Sequence, residues 1–251
     1  MLPGVFLATV GRNPGGVSRR WRMAAALVLS GVAVAGAELR SRDGVQSGKI
    51  EWTRLITHSP YWNRHAESDS RLLTYLATHT PLTVDPQLRS TSPRRLEDLC
   101  HFPFVYAHDI SSLSADEARN LAEYLKRGGF LMVDFCANVH INPAPAVFLR
   151  AQFAKLQPHL PDLRAEELRP DHEVFSIFFK MRHFPPQTRP GDSPWVDGKT
   201  NPLCAFYCGD RLVAIVGLSA FQCAWSGVGP ADNANECMQM LANIYVFAMT
   251  H

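Results

Sequence analysis

The chain has 251 residues, 46% of them hydrophobic and 19% charged, a composition that fits a globular protein and excludes an intrinsically disordered chain. Its formal net charge is only +2, and the lysines and arginines form no basic stripe, which argues against a nucleic-acid-binding protein. The length is that of one α/β domain of ordinary size.

The first 37 residues are predicted to be a signal peptide. Their charged residues are four arginines and no acid: Arg12, Arg19, Arg20 and Arg22. An apolar run, residues 23–37, follows and ends in Ala35-Gly36-Ala37, which predicts cleavage before Glu38. The run is shorter than the ~20 residues of a typical membrane span, although an uncleaved amphipathic or single-span anchor is the alternative. Ser18-Arg19-Arg20 partly matches a twin-arginine signal.

A cleaved leader predicts an exported protein in the periplasm or another extracytoplasmic compartment, with no stable membrane span after cleavage. The formal charge falls from +2 to about −2 when the four leader arginines are removed. We therefore expect a small molecule or an envelope protein as partner, and no nucleic acid. Six cysteines follow the leader, an even number that permits disulfides in an exported protein.

A flexible lead-in, residues 38–48, precedes a single predicted domain at 49–251. The first half of this domain alternates strands with helices. Strands are predicted at 49–57, 82–84 and 102–107, and a loop rich in aromatic residues at 58–66. Helices are predicted after Asp69 or Ser70 and after Ser114, which has the form of a capping box with Glu117, and a helical turn is predicted at 94–99.

The central stretch, LKRGGFLMVDFCAN at 125–138, joins a helix to a buried strand. The helix ends at Gly128-Gly129, the strand covers 130–133, and polar groups begin at Asp134. Alternation of strands and helices up to this point predicts a mostly parallel sheet with helices on both faces.

The second half is predicted to hold a helix from Asn142 to about Gln157 and an edge strand at 163–168. A proline-rich loop at 182–202 precedes a hairpin, whose strands at 203–208 and 211–218 flank Gly209-Asp210. An irregular loop is predicted at 219–231, followed by a C-terminal helix with a core-facing apolar side.

Three stretches together resemble a known family. They are 102–109 with the helix after Ser114, GGFLMVDF at 128–135, and NIYVFAMTH at 243–251. They resemble the uncharacterised bacterial family called domain of unknown function 4159, over about residues 49–251. That family resembles the class I glutamine amidotransferase-like fold, which implies a flavodoxin-like three-layer sandwich. The family often has a second acidic residue where Phe135-Cys136 stands here, and the resemblance implies no catalytic residue.

Amidotransferase chemistry would need an activated cysteine at a sharp strand-to-helix turn. Cys136 lies near such a position, but its neighbours are Phe135 and Ala137, without the flanking glycines. The typical His-Pro-Glu element is also absent, since Glu173 directly follows His172. The residues therefore argue against this activity.

A hydrolase based on histidine and aspartate is harder to exclude. The candidate catalytic residues are His108, Asp134 and Cys136, and the candidate binding residues are Asp109, Asp134, His140 and Ser219. Most of them follow predicted strands, where a carboxylate can orient a histidine as a general base. The alternative for Asp134 is a cap on the turn that follows it, and for His108 a hydrogen-bonded loop histidine.

The sequence predicts no metal and no cofactor. Cys136 and His140 are four residues apart, as are Cys204 and Cys208, whereas structural zinc sites use tighter cysteine pairs. Asp134 with His108 could offer oxygen and nitrogen ligands to a divalent ion, but no motif in the sequence specifies such a site.

We therefore expect a non-catalytic ligand- or partner-binding envelope protein that keeps an amidotransferase-like scaffold. The alternative is a hydrolase with an Asp/His site at the carboxyl ends of the central strands. A third hypothesis is that the loops at 58–66 and 182–202 form a protein interface.

Overall fold

The computed structural model describes residues 49–135, 144–182, 203–218, 220–227 and 231–251. The predicted leader and lead-in lie outside these ranges, as do Cys136, His140, Ser219 and nearly all of the proline-rich loop. None of the helices in the described ranges has the length and hydropathy that a membrane crossing requires.

The described residues form nine strands and six α-helices. The strands are β1 Lys49–Ile50, β2 Thr53–Leu55, β3 Thr83–Val84, β4 Arg89–Thr91, β5 Phe104–Ala107, β6 Phe130–Asp134, β7 Leu163–Glu167, β8 Leu203–Cys208 and β9 Arg211–Gly217. The helices are α1 Asp69–His79, α2 Leu96–Cys100, α3 Ala115–Lys126, α4 Pro145–Leu156, α5 Phe221–Ser226 and α6 Ala231–Thr250. Single 3-10 turns lie at Ala66–Ser68, Gln157–His159 and Glu173–Phe175.

Seven of these strands form the main sheet, in the order β4-β2-β5-β6-β9-β8-β7. The first five run parallel, β8 is antiparallel to both neighbours, and β1 and β3 form a separate parallel pair. The chain runs from β2 to β4 on one side of β2 and then returns to β5 on its other side. The strand order thus reverses between β2 and β5, a position that we call the switch point.

Helices cover both faces of the sheet, as the alternating pattern predicted. Side chains of β5 alternate between two hydrophobic clusters, with Phe104 and Tyr106 in one and Val105 and Ala107 in the other. The first cluster includes apolar residues of α1 and α6, and the second includes those of α3 and α4. The mixed α/β class, the mostly parallel sheet and the C-terminal helix are confirmed.

The central stretch has the predicted helix, glycine stop and buried strand. Gly128 adopts a positive φ of 105°, where a side chain would be strained. Gly129 lies directly against the Tyr124 ring, and a Cβ atom at this position would overlap that ring. The Tyr124 hydroxyl in turn exchanges hydrogen bonds with the amide and carbonyl of Phe130, at 3.2 Å each. The second glycine is therefore required by packing.

Four features of the structure differ from the prediction. The single strand at 49–57 is divided, because β1 pairs with β3 whereas β2 joins the main sheet. The edge strand β4 has no counterpart in the prediction, and the loop predicted at 219–231 contains α5. Asp69 does not cap α1, because its carboxylate bonds to side chains of other elements. In each case the deciding partner lies far away in the sequence.

Candidate functional site

Asp134 ends β6 and is only 2% exposed. Its Oδ1 accepts a hydrogen bond from the amide of Phe221 at 2.9 Å. Its Oδ2 accepts from the amide of Gln222 at 2.7 Å and from the Tyr106 hydroxyl at 3.2 Å. Burial raises the pKa of Asp134 to about 7, against the lowering effect of these donors. Asp134 thus caps α5, a helix 87 residues further along the chain. The turn after Phe135, which the sequence offered as the alternative for this cap, lies outside the described residues.

A second buried carboxylate, Asp69, binds three side chains beneath this edge. Arg54 donates from Nε at 2.5 Å and from Nη2 at 2.7 Å. The indole N–H groups of Trp52 and Trp225 donate at 2.7 and 3.0 Å. Arg54 and Asp69 are 3% and 1% exposed, so the ion pair is fully within the core. No local motif in the sequence pointed to this network.

The loop after β2 is fastened to the sheet by the same arginine. Arg54 Nη1 donates to the carbonyls of Trp62 at 3.4 Å and of Arg64 at 3.2 Å. The Gln222 side-chain amide also donates to the Arg64 carbonyl. The Arg54 guanidinium lies over the Tyr106 ring, 5.1 Å from its centroid. The loop at 58–66 is therefore folded onto the edge of the sheet between β2 and α5.

His108 follows β5 directly and is 2% exposed. Its Nδ1 has no hydrogen-bond partner in another described residue. Burial lowers the pKa of His108 to about 4, and the charges of Arg54 and Arg64 act in the same direction. A hydrogen bond of the ring to its own backbone and the charge of Asp109 act against this lowering.

Asp109, the next residue, organises the loop after β5. Its Oδ1 accepts from the amide of Ser111 and from the Gln152 side chain, both at 2.8 Å, and its Oδ2 accepts from the Ser111 hydroxyl at 2.9 Å. These bonds tie the loop to α4. Asp109 was predicted to bind a ligand, and the structure places it at the switch point with both oxygens already hydrogen-bonded.

A histidine–glutamate pair also lies at the switch point. His58 Nε2 lies 2.7 Å from Glu117 Oε2, with side chains 49% and 9% exposed. The same oxygen accepts from the Ser114 amide at 2.9 Å, completing the capping box of α3. The Arg94 Nε lies 3.8 Å from the other carboxylate oxygen. The capping box was predicted, but nothing in the sequence indicated that Glu117 also holds a histidine 59 residues away.

Of the predicted candidates, the structure describes His108, Asp109 and Asp134, and it places these three at one edge of the sheet without joining His108 to Asp134. His108 and Asp134 end neighbouring strands, but Asp134 accepts from Phe221, Gln222 and Tyr106, and the Nδ1 of His108 has no partner in another described residue. The described residues place no three His, Cys, Asp or Glu side chains where they could hold a metal ion. Cys136, His140 and Ser219 lie in the part of the chain that is not described.

Comparison with known proteins identifies a family for this chain. A search of the curated proteins found no match. The model of the family described as Domain of unknown function (DUF4159) matches residues 51–249, which include the whole seven-stranded sheet. The match confirms the resemblance drawn from residues 102–109, 128–135 and 243–251. The chain therefore belongs to the DUF4159 family.

Proposed function

We propose that the protein is an exported, non-catalytic ligand-binding protein of the cell envelope, with its site at the switch point. The observation that carries this proposal is the reversal of strand order between β2 and β5. In open α/β sheets, ligands bind outside the carboxyl ends of the strands at such a reversal.

The strand order also supports a flavodoxin-like scaffold. If β2 is counted as the first strand, the five parallel strands lie in the order 2-1-3-4-5, the order of flavodoxin-like sheets. Helices on both faces agree with the same organisation. Both features are what the resemblance to the class I glutamine amidotransferase-like fold implies, although a shared scaffold does not imply shared chemistry.

The side chains at the edge support binding more than catalysis. Asp134 and Asp109 use their oxygens to hold α5 and the loop after β5. The half-exposed His58, fixed by Glu117, is the group best placed to touch a ligand. The centre of the proposed site therefore moves from Asp134 to the loops after β2 and β5.

One observation favours a hydrolase as the second candidate. If His58 Nε2 donates to Glu117, its Nδ1 is free to accept a proton, as a general base requires. A hydrolase centred on His58 and Glu117 takes the place of the hydrolase predicted around Asp134 and His108, because the Asp134 carboxylate already accepts three hydrogen bonds.

A fragment screen by NMR tests the binding proposal on the full chain. We expect shift changes to cluster at residues 57–59 and 108–111, and His58→Ala to weaken binding at least about tenfold, the loss of roughly 1.4 kcal/mol. His101→Ala, at an exposed histidine, is the matched control and should leave binding unchanged. Turnover of an ester, amide or glycoside that disappears in His58→Ala would identify the hydrolase instead.

The proposal of export rests on the predicted leader at 1–37 and is tested separately. Expression in a Gram-negative host should yield an extracytoplasmic product whose first residue is Glu38, measured by intact-protein mass spectrometry of the periplasmic fraction. A product that keeps residues 1–37 in the membrane fraction would support the uncleaved anchor.

A further inference from the structure

Strand β7 forms one edge of the main sheet and, among the described residues, pairs only with β8. The Leu168 amide donates to a carbonyl of β8 at 2.8 Å, directly after the last residue pair of this ladder. In an antiparallel ladder every second residue points its backbone groups at the neighbouring strand, so those of Glu166 and Arg164 also face β8. The N–H and C=O groups of Ala165 and Glu167 therefore point away from the sheet.

These outward backbone groups are accessible. Residues 164–167 are all exposed, and no described residue forms a hydrogen bond with the outward groups of Ala165 or Glu167. Leu163 offers only its carbonyl, because its amide already donates to the carbonyl of Leu160 at 2.9 Å. An open edge can pair with another strand, and charged side chains usually protect it. The order of the charges on β7 therefore determines which strand can pair with it.

The charges of β7 are complementary to those of an antiparallel copy of the same strand. Arg164 and Glu166 lie on one face and form an ion pair, with side chains 47% and 51% exposed. The Arg164 guanidinium lies 4.5 Å from the centroid of the Tyr207 ring, and its Nη2 donates to the Gly209 carbonyl at 3.2 Å. A second β7 strand centred on Ala165 places an arginine opposite a glutamate at two positions, and such pairs stabilise a sheet.

The same register also matches the outward backbone groups. The Ala165 residues of the two copies face each other and exchange two hydrogen bonds between N–H and C=O. The Glu167 amide of each copy meets the Leu163 carbonyl of the other, which adds two more bonds. Arg164 and Glu166 then form non-hydrogen-bonded pairs, in which facing side chains lie closest together. Backbone and charge thus favour one register.

We propose that β7 is a dimerisation edge, which pairs with β7 of a second copy of this chain, antiparallel and centred on Ala165. The two seven-stranded sheets then form one continuous sheet. Because both copies use the same surface, the contact closes at a dimer. Strands β6, β9 and β8 separate β7 from β5, so the contact does not include the switch point.

Analytical ultracentrifugation of the full chain, from about 1 µM to about 1 mM, tests the dimer. We expect a reversible equilibrium between monomer and dimer. Arg164→Glu and Glu166→Arg, each measured alone, should weaken the dimer at least about tenfold, because like charges then face each other at both positions. Arg119→Glu, which reverses one charge of an exposed ion pair on α3, is the matched control and should dimerise like the wild type.

A mixture of the two variants separates a contact between copies from a contact within one chain. Each variant keeps like charges within its own strand, but in a mixed dimer the two glutamates of one chain face the two arginines of the other. The mixture should therefore dimerise about as tightly as the wild type. A wild-type chain that is monomeric at every concentration, single variants that dimerise like Arg119→Glu, or a mixture that stays monomeric would overturn the inference.

Discussion

Two neighbouring titratable residues at the carboxyl edge of the sheet have pKa values shifted in opposite directions. Burial raises the pKa of Asp134 to about 7 and lowers that of His108 to about 4. The cause is the same for both, because each charged form loses its hydration in the core. The folded state therefore favours the neutral form of both residues, and each makes stability depend on pH with its own sign.

Asp134 should make the protein less stable as pH rises. Its pKa is about 7 in the folded state and near 3.8 for an ordinary carboxyl, so between these values the folded state holds a proton that the unfolded state has lost. Relative to Asp134→Asn, the wild type should lose on the order of 4 kcal/mol of unfolding free energy between pH 4 and pH 7. Urea denaturation at several pH values measures this. A difference between the two proteins that does not change with pH would show that burial does not raise the pKa of Asp134.

His108 should have the opposite effect. Its pKa is about 4 when folded and 6.5 ordinarily, so the stability that it contributes is present above pH 6.5 and is lost as pH falls towards 4. The wild type should lose on the order of 3 kcal/mol more than His108→Gln over this window. His101→Gln, at an exposed position, should follow the wild-type curve. Parallel curves for wild type and His108→Gln would contradict the burial of this ring.

Two kinds of contact hold the elements of this fold in place. Some join residues that are close in the sequence, and others join residues that are far apart in it. The capping box of α3 and the Gly209-Asp210 turn between β8 and β9 each depend on residues no more than three positions apart. The glycine stop after α3 is similar, because Gly129 packs on Tyr124 within the same helix end. By contrast, α5 begins on the side chain of Asp134, from a strand 87 residues earlier.

Gly129→Ala should be destabilising by about 2 kcal/mol, the usual cost of forcing an extra group into a packed core. The new Cβ would overlap the Tyr124 ring, whose hydroxyl holds both backbone groups of Phe130. Gly209→Ala is the comparison, because its Cβ would meet open space and only the positive φ of 60° is unfavourable, at about 1 kcal/mol. Chemical denaturation gives both values. A smaller effect at Gly129 than at Gly209 would mean that the Tyr124 ring moves aside freely.

Across the whole molecule, one buried ion pair connects the parts around the switch point. Arg54 belongs to β2 and Asp69 to α1, while Trp225 of α5 and the carbonyls of Trp62 and Arg64 complete the network. A buried pair of this kind stabilises a fold little in comparison with apolar residues, but removal of one partner leaves an uncompensated charge. The network therefore determines how precisely the loop at 58–66 and α5 are positioned.

Asp69→Ala should cost about 3–5 kcal/mol, since it leaves the Arg54 guanidinium buried without its carboxylate. The double variant Arg54→Met, Asp69→Leu should lose less than the sum of the two single variants, a coupling that a double-mutant cycle measures. Asp116→Asn, at an exposed pair with Arg119, should change stability little. Additive losses from Arg54 and Asp69 would show that the pair does not act as a unit.

The sequence by itself determined the features that depend on neighbouring residues. Continuous apolar runs predicted the buried strands β5 and β6, and the apolar spacing after a capping box predicted α3. The alternation of strands with helices predicted the mostly parallel sheet. The motifs at 102–109, 128–135 and 243–251 likewise identified the family correctly. The edge strand β4, with only Arg89, Ser90 and Thr91, carries no apolar alternation, so pairing with β2 alone defines it.

Only the tertiary structure determined which polar side chains meet around the switch point. Arg54 and Asp69 are 15 residues apart, His58 and Glu117 are 59 apart, and Asp134 and Phe221 are 87 apart. No periodicity or local motif encodes such contacts, because they follow from which strands are neighbours and in which register they pair. The sequence placed Asp134 at the centre of a polar edge. The strand order made Asp134 the buried cap of α5 and left the half-exposed His58 beside Glu117 at the switch point.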